Sequence, residues 1–176
     1  MNLTGFQIAL LDAAAAEACL PELAQIHIDC VAGGAGVSFL DPLPQEKAEA
    51  FWRDRVLAGV RTGTTKLFAA RHEGRVAGTV QLLTAMPENQ PHRAEIAKLL
   101  VAPAARRQGV GRALMEAAQK YAADSGKTLL LLDTVTGSLA EQLYLSLGWQ
   151  EVGIVPGWAL APNGEMQATT FLYKAL

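Results

Sequence analysis

The sequence predicts an α/β fold in a single domain, with a mixed, mostly antiparallel sheet carrying helices on both faces. Three observations lead there. Strand-like and helix-like segments alternate through the second half of the chain, and a hairpin runs into that alternation. The length, 176 residues, matches one domain of ordinary size, residues 1–176. Hydrophobic residues make up 51% and charged residues 18%, enough apolar surface to build a large core.

Phe6 to Leu11 reads as the first strand. Glu17 to Val31 is helical by its apolar spacing (Leu20, Leu23, Ile26, Cys30) and runs into Gly33-Gly34-Ala35-Gly36. Gln45 to Ala58 is a second helix, entered through Asp41-Pro42-Leu43-Pro44. Lys66–Arg71 and Val76–Thr84 flank Glu73-Gly74 as a hairpin, and Pro87–Pro91 is a loop. Ala94–Val101 is a strand and Gly109–Asp124 a strong helix. Thr128–Asp133 is a buried strand, Ser138–Leu147 a helix, and Glu151–Val155 and Met166–Tyr173 are the last strands.

Composition narrows the function. A net charge of −2 argues against a partner gripped through a broad basic surface, as nucleic acid would be. No apolar run is long enough to span a bilayer, and Met1–Gly5 lacks the basic start of a secretory leader, so a cytoplasmic protein is expected. Cys19 and Cys30 fall about 16 Å apart along a helix, too far for a disulfide. His27, His72 and His92 have no spacing that suits a metal or a catalytic triad, so no metal is expected. His27 reads as a helix-face residue.

The segment that carries chemistry is Leu99-Leu100-Val101-Ala102-Pro103-Ala104-Ala105-Arg106-Arg107-Gln108-Gly109-Val110-Gly111-Arg112. A strand ends, two glycines allow a tight turn, and a long helix opens. The first N–H groups of a helix have no internal partner and attract anions, and Arg106, Arg107 and Arg112 add full charges at that end. This is a phosphate site. It is not the nucleotide-triphosphate loop, because Gly111 is followed by Arg112-Ala113. The dinucleotide fingerprint lacks its third glycine, Leu114 standing there, although Asp133 lies where that fold places its ribose-binding acid. The residues alone leave the kind of polyphosphate open.

Arg106-Arg107-Gln108-Gly109-Val110-Gly111, with Val101-x-Pro103 before it, resembles the Arg/Gln-x-x-Gly-x-Gly/Ala signature of the GNAT N-acetyltransferase superfamily. Ala140-Glu141-Gln142-Leu143-Tyr144 with Gly148-Trp149 resembles that family's second motif. Gly33-Gly34-Ala35 before Phe39, Arg93-Ala94-Glu95, Leu132-Asp133-Thr134, Gly137-Ser138 and Val152-Gly153 with Pro156-Gly157 resemble the tabtoxin-resistance acetyltransferases within it. One departure is Gly137, where many members carry Asn; Ser138 is the residue that could replace its contact.

The resemblance implies acetyl-CoA, its diphosphate on the amides of Arg106 to Gly111 and its pantetheine arm along Leu99, Leu100 and Val101. Glu95 is then the general base, direct or through water, with burial beside apolar neighbours raising its pKa; pairing with Arg93 or Lys98 is its competing role. Asp133 orients the acceptor's ammonium or caps the next turn, and Tyr144 protonates the departing thiolate or packs in the core. Gly34, Phe39, Trp52 and Trp158 are candidates for the acceptor wall, within Val31–Pro44 and Pro156–Glu165. The expected acceptor is a small-molecule amine, amino-acid-like or a β-lactam toxin. A protein or peptide acetyltransferase and a non-catalytic acyl-CoA module are alternatives, and a homodimer stays open.

Overall fold

In the computed structural model, which describes residues 5–176, seven strands form one sheet. They are β1 (Phe6–Leu11), β2 (Thr65–His72), β3 (Arg75–Leu83), β4 (Arg93–Val101), β5 (Leu129–Val135), β6 (Gln150–Leu160) and β7 (Met166–Ala175). Met1–Thr4, read from sequence as lacking a leader, lie outside the described residues. The order across the sheet is β1-β2-β3-β4-β5-β7-β6. Every neighbouring pair is antiparallel except β4 and β5, which run parallel. The mixed, mostly antiparallel sheet expected from the sequence is therefore found.

Two helical layers cover it. Helices α1 (Ala13–Ala18), α2 (Leu20–Ala32), α3 (Gln45–Phe51) and α4 (Ala58–Thr62) pack Leu23, Ile26, Val31 and Trp52 against Leu11, Leu67, Ala69 and Leu100 of the sheet. On the opposite face α5 (Val110–Asp124) and α6 (Leu139–Ser146) pack Val110, Leu114, Met115, Ala118 and Tyr144 against Val80, Leu82, Ala94, Ile96, Leu130 and Leu172. The buried positions of α5 recur three or four residues apart, which makes one apolar stripe.

Several boundaries differ from those expected. The predicted helix 17–31 is two helices. Asp12 accepts from the Ala15 N–H at 2.8 Å and so starts helix in the alanine run, and a second start at Leu20 accommodates Pro21, whose missing N–H costs nothing in a first turn. The predicted helix 45–58 continues to Thr62 through a π-helical stretch, Trp52–Leu57, that keeps Trp52, Val56 and Leu57 buried. Strand β6 runs on to Leu160, so Pro156–Leu160 is strand and not loop. Proline is tolerated because β6 is the sheet's edge, and its register with β7 slips between Val155 and Ala159.

Two irregularities in the middle of the sheet shape the site. The β4–β5 ladder holds only three rungs, Arg93–Leu129, Ala94–Leu130 and Glu95–Leu131. Beyond Glu95 the two strands part. On its other edge β4 carries a bulge: Ala97 pairs with Gln81 and Leu100 with Thr79, so three steps of β4 match two of β3. Lys98 sits in that bulge at φ 49°, in the left-handed region.

Candidate active site

Past the end of β4 the chain makes a short turn, Pro103–Ala105, and reaches α5 through Arg107 at φ 60° and Gly109 at φ 83°. Backbone that passes through the left-handed region at Arg107 and Gly109 is the kind that forms an anion-binding nest, an amide cradle. The Ala105 and Arg106 amides bond back to Ala102 and Pro103, and the Ala113 amide bonds Gly109. Between them, the N–H groups of Arg107, Gln108, Gly109, Val110, Gly111 and Arg112 have no partner among the described residues. Six consecutive donors at the mouth of a four-turn helix make a strong site for a polyanion.

Side chains around this cradle are arranged differently from the expectation that all three arginines face the anion. Arg106 folds back: its Nε donates to the Val101 carbonyl at 3.3 Å and its Nη2 lies 3.8 Å from Cys30 Sγ. Arg112 donates to Ser146 Oγ at 2.7 Å and pairs with Glu116 at 3.8 Å. Only Arg107 makes no side-chain bond among the described residues. Gln108 Nε2 donates to the Ala104 carbonyl at 2.8 Å, which braces the turn. The Val101 carbonyl accepts from Arg106, and the Leu100 side chain is core, 1% exposed.

Leu99 and Val101 line the opening between β4 and β5. A Cβ on Gly111 would lie 3.3 Å from Leu143, 3.7 Å from Val101 and 4.0 Å from Leu99, so this glycine keeps the passage between cradle and opening clear. Gly78, which sequence reasoning missed, has a packing role: a Cβ there would lie 2.9 Å from the Leu100 carbonyl and 3.2 Å from Leu114 and Val110. Its bareness seats α5 on the sheet.

Glu95 occupies the last rung before the strands part. Its carboxylate is 42% exposed and bonds Arg93 Nη1 at 2.5 Å. The apolar surroundings expected for it are not found, because its face of β4 opens onto a shallow cleft with Thr64, Thr65, Leu83 and Met86. The pairing with Arg93 weighed at the sequence level is the one formed.

Asp133 is exposed on β5, directly across from Phe171 of β7. It makes no ion pair or hydrogen bond among the described residues. The turn it was thought to cap is capped by Ser138, whose Oγ accepts from the Glu141 N–H at 3.1 Å while Glu141 accepts from the Gly137 N–H at 2.6 Å. Ser138 thereby serves as the N-cap of α6.

Tyr144 points its ring into the α5–α6 core beside Trp149, 6.1 Å between centroids, and is 6% exposed. Burial, with a smaller push from the Asp133 carboxylate, raises its phenol above the ordinary tyrosine value, so it stays protonated. Its hydroxyl has no hydrogen-bond partner among the described residues.

Of the wall candidates, Trp158 is 54% exposed and meets Phe171 edge-on at 5.2 Å, next to Asp133. Phe39 joins Phe51 and His27 in an edge-to-face cluster at 4.8–5.4 Å. Gly34 is exposed at φ 86° with nothing near it. Trp52 is core, 1% exposed. His27 lies on the buried face of α2, among Phe39, Phe51 and Trp52, with neither ring nitrogen hydrogen-bonded. Burial pulls its pKa down to about 4, the Lys98 charge adds to this, and the Val37 backbone opposes it weakly.

The sheet parts between β4 and β5, and a run of unpartnered amides stands at the end of the opening. Residues 20–149 match the Acetyltransferase (GNAT) family, and the chain belongs to that family; it is an N-acetyltransferase. An uncharacterized N-acetyltransferase in the hisH-hisA intergenic region of Azospirillum brasilense is 33% identical over 116 residues, 65% of this chain and 67% of its own. A GCN5-related N-acetyltransferase from Kribbella flavida superposes with a TM-score of 0.80 at 23% identity, over 99% of this chain and 100% of that one. The fold is also that of yncA from Salmonella typhimurium, solved with its cofactor acetyl-CoA: TM-score 0.75, 19% identity, 98% of this chain and 94% of that one. No helix among the described residues is long and apolar enough to cross a membrane.

Proposed function

We propose that this enzyme moves the acetyl group of acetyl-CoA to the primary amine of a small, amino-acid-like acceptor, a β-lactam toxin being one compound of that kind. The observation that carries this reading is the run of six unpartnered amides, Arg107 to Arg112, at the end of the β4–β5 opening. Unpaired buried or half-buried donors are costly, and a diphosphate satisfies several at once. The cofactor supplies an activated acyl group; the remaining chemistry belongs to the protein.

The Arg107–Arg112 amides hold the diphosphate, and Arg107 adds the free cation. Leu99, Val101 and Gly111 shape the passage for an extended arm. Glu95, exposed and oriented by Arg93, draws the proton from the acceptor amine through water. Asp133 holds the approaching ammonium. Tyr144, kept neutral by burial, delivers a proton to the leaving thiolate.

Purified protein mixed with acetyl-CoA and a panel of small amines, with free thiol followed as product, tests the reading. Thiol release with small amino-acid-like amines is expected. Release with peptide N-termini alone contradicts the small-molecule assignment.

A further inference from the structure

Lys98 is absorbed by none of the roles above, and its setting is unusual. The β4 bulge holds it at φ 49°, a conformation a lysine keeps only where its surroundings impose it. The bulge turns its side chain onto the α2–α3 face of the sheet. There Nζ donates to Ser38 Oγ at 3.0 Å and lies 5.7 Å from the Phe51 ring centroid. Ser38 is itself at φ 77°, so both partners of this bond sit in the left-handed region.

An ammonium has three donors, and Lys98 spends one on a neutral hydroxyl. No carboxylate lies within salt-bridge distance of it among the described residues. Asp133 is nonetheless close enough to pull the Lys98 pKa up against the larger lowering by burial. Asp133 likewise lacks a partner. Lys98 lies three residues past the last β4 rung and Asp133 two past its partner on β5, so the two opposite charges flank the opening between the strands with no salt bridge between them. Lysine has a long, flexible arm that could reach a neighbouring carboxylate; here the Ser38 contact holds it back. The gap is bordered by Phe51 on the lysine side and by Phe171 and Trp158 on the aspartate side.

We propose that Lys98 is the specificity residue for a zwitterionic acceptor: its ammonium takes the acceptor's carboxylate while Asp133 takes the acceptor's ammonium. This inference rests on the small-molecule reading and narrows it to amines that carry an acid group. The polarity follows from the fold. Asp133 stands on β5, across the opening from Lys98 on β4, and it is the carboxylate assigned above to the acceptor's ammonium, so the amine belongs there. Lys98 stands toward the loop bearing Ser38, so the acid group belongs at that side, with the apolar body against the aromatic rings. The half-buried Lys98 ammonium, bonded only to a neutral hydroxyl, gains a charge-assisted bond when a ligand carboxylate reaches it.

The test uses paired acceptors, each α-amino acid beside its own carboxamide, with acetyl-CoA and thiol release as the readout. For the wild-type enzyme kcat/KM should favour the acid over the amide. In Lys98→Met that acid-to-amide ratio should fall about 10- to 100-fold, chiefly through a raised KM for the acid, and Lys98→Arg should restore part of it. Ser38→Ala, which loosens the lysine without touching the core, should shift the ratio the same way by less, and it serves if Lys98→Met folds poorly by thermal melting. Wild-type enzyme with equal preference for acid and amide overturns the proposal, as does a Lys98→Met variant that loses both substrates in the same proportion. An enzyme that ignores every small amine but acetylates peptides overturns the small-molecule reading together with this one.

Discussion

The Arg106 guanidinium bonds the carbonyl of Val101 at 3.3 Å, tying the last residue of β4 to the turn that precedes the amide cradle. The guanidinium therefore acts by holding the corner, while the backbone beyond it meets the anion. A hydrogen bond from a charged donor contributes about 1.5–3 kcal/mol when shielded from water, and less where it is exposed, as this one is. Arg106→Leu is expected to weaken acetyl-CoA binding by roughly 5- to 50-fold with a small change in melting temperature. Calorimetric titration checks it; unchanged affinity would show that the corner holds without this bond.

Glu95 ends the parallel ladder and is already paired with Arg93. If it relays the amine's proton, Glu95→Gln should lower kcat by about 10²–10⁴-fold while acetyl-CoA affinity stays near wild type. Steady-state kinetics over a pH series is the measurement. A variant that keeps both the rate and its pH profile assigns Glu95 to the Arg93 pair alone.

Tyr144 is neutral well past the ordinary tyrosine range because it is buried. Activity should then show no alkaline loss that titrates with a tyrosine, and Tyr144→Phe should slow thiol release about 10²-fold. A variant with normal kinetics places Tyr144 in the core and nowhere else.

His27 gives the fold a pH dependence of calculable sign. Its folded pKa, about 4, lies below its unfolded value of 6.5, so the unfolded chain binds the proton more readily. The stability this burial of a neutral ring supplies is complete above pH 6.5 and is lost as pH falls toward 4, on the order of 3 kcal/mol in all. Urea unfolding at a series of pH values should show this slope, and His27→Leu should flatten it. An identical slope in the variant assigns the acid sensitivity to other groups.

Gly78 and Leu100 are as close as two strands allow. With a Cβ placed 2.9 Å from a carbonyl oxygen, Gly78→Ala should destabilise the protein by about 1–3 kcal/mol by lifting α5 from the sheet. Chemical denaturation measures it, and a stability equal to wild type would mean that the helix adjusts freely.

Much of the fold was legible because its signals are local. The Glu73-Gly74 hairpin is one such signal, both residues adopting positive φ as such a turn requires. The anion cradle was legible as well, since glycines and a helix start are written in consecutive residues. What sequence could not show depends on contacts far along the chain. Arg106 meets Val101 and Cys30, so its charge is turned away from the cradle it seemed to serve. Glu95 lies in an apolar stretch, yet its side chain opens onto a cleft lined by Leu83, Met86 and, far from it along the chain, Thr64 and Thr65. Lys98 was weighed only as a partner for Glu95, because a bulge is a mismatch between two strands, invisible in either alone. The break at Cys19 had a local sign, Pro21, which the continuous apolar spacing masked.

The assignment of the diphosphate to the amides of Arg107–Arg112 is open to direct observation. Backbone amide NMR spectra of the ¹⁵N-labelled protein, recorded as acetyl-CoA is added, report each N–H separately. The signals of Arg107 through Arg112 should move downfield together and saturate with the binding curve. Saturable binding that leaves those six unmoved while amides elsewhere shift would contradict it.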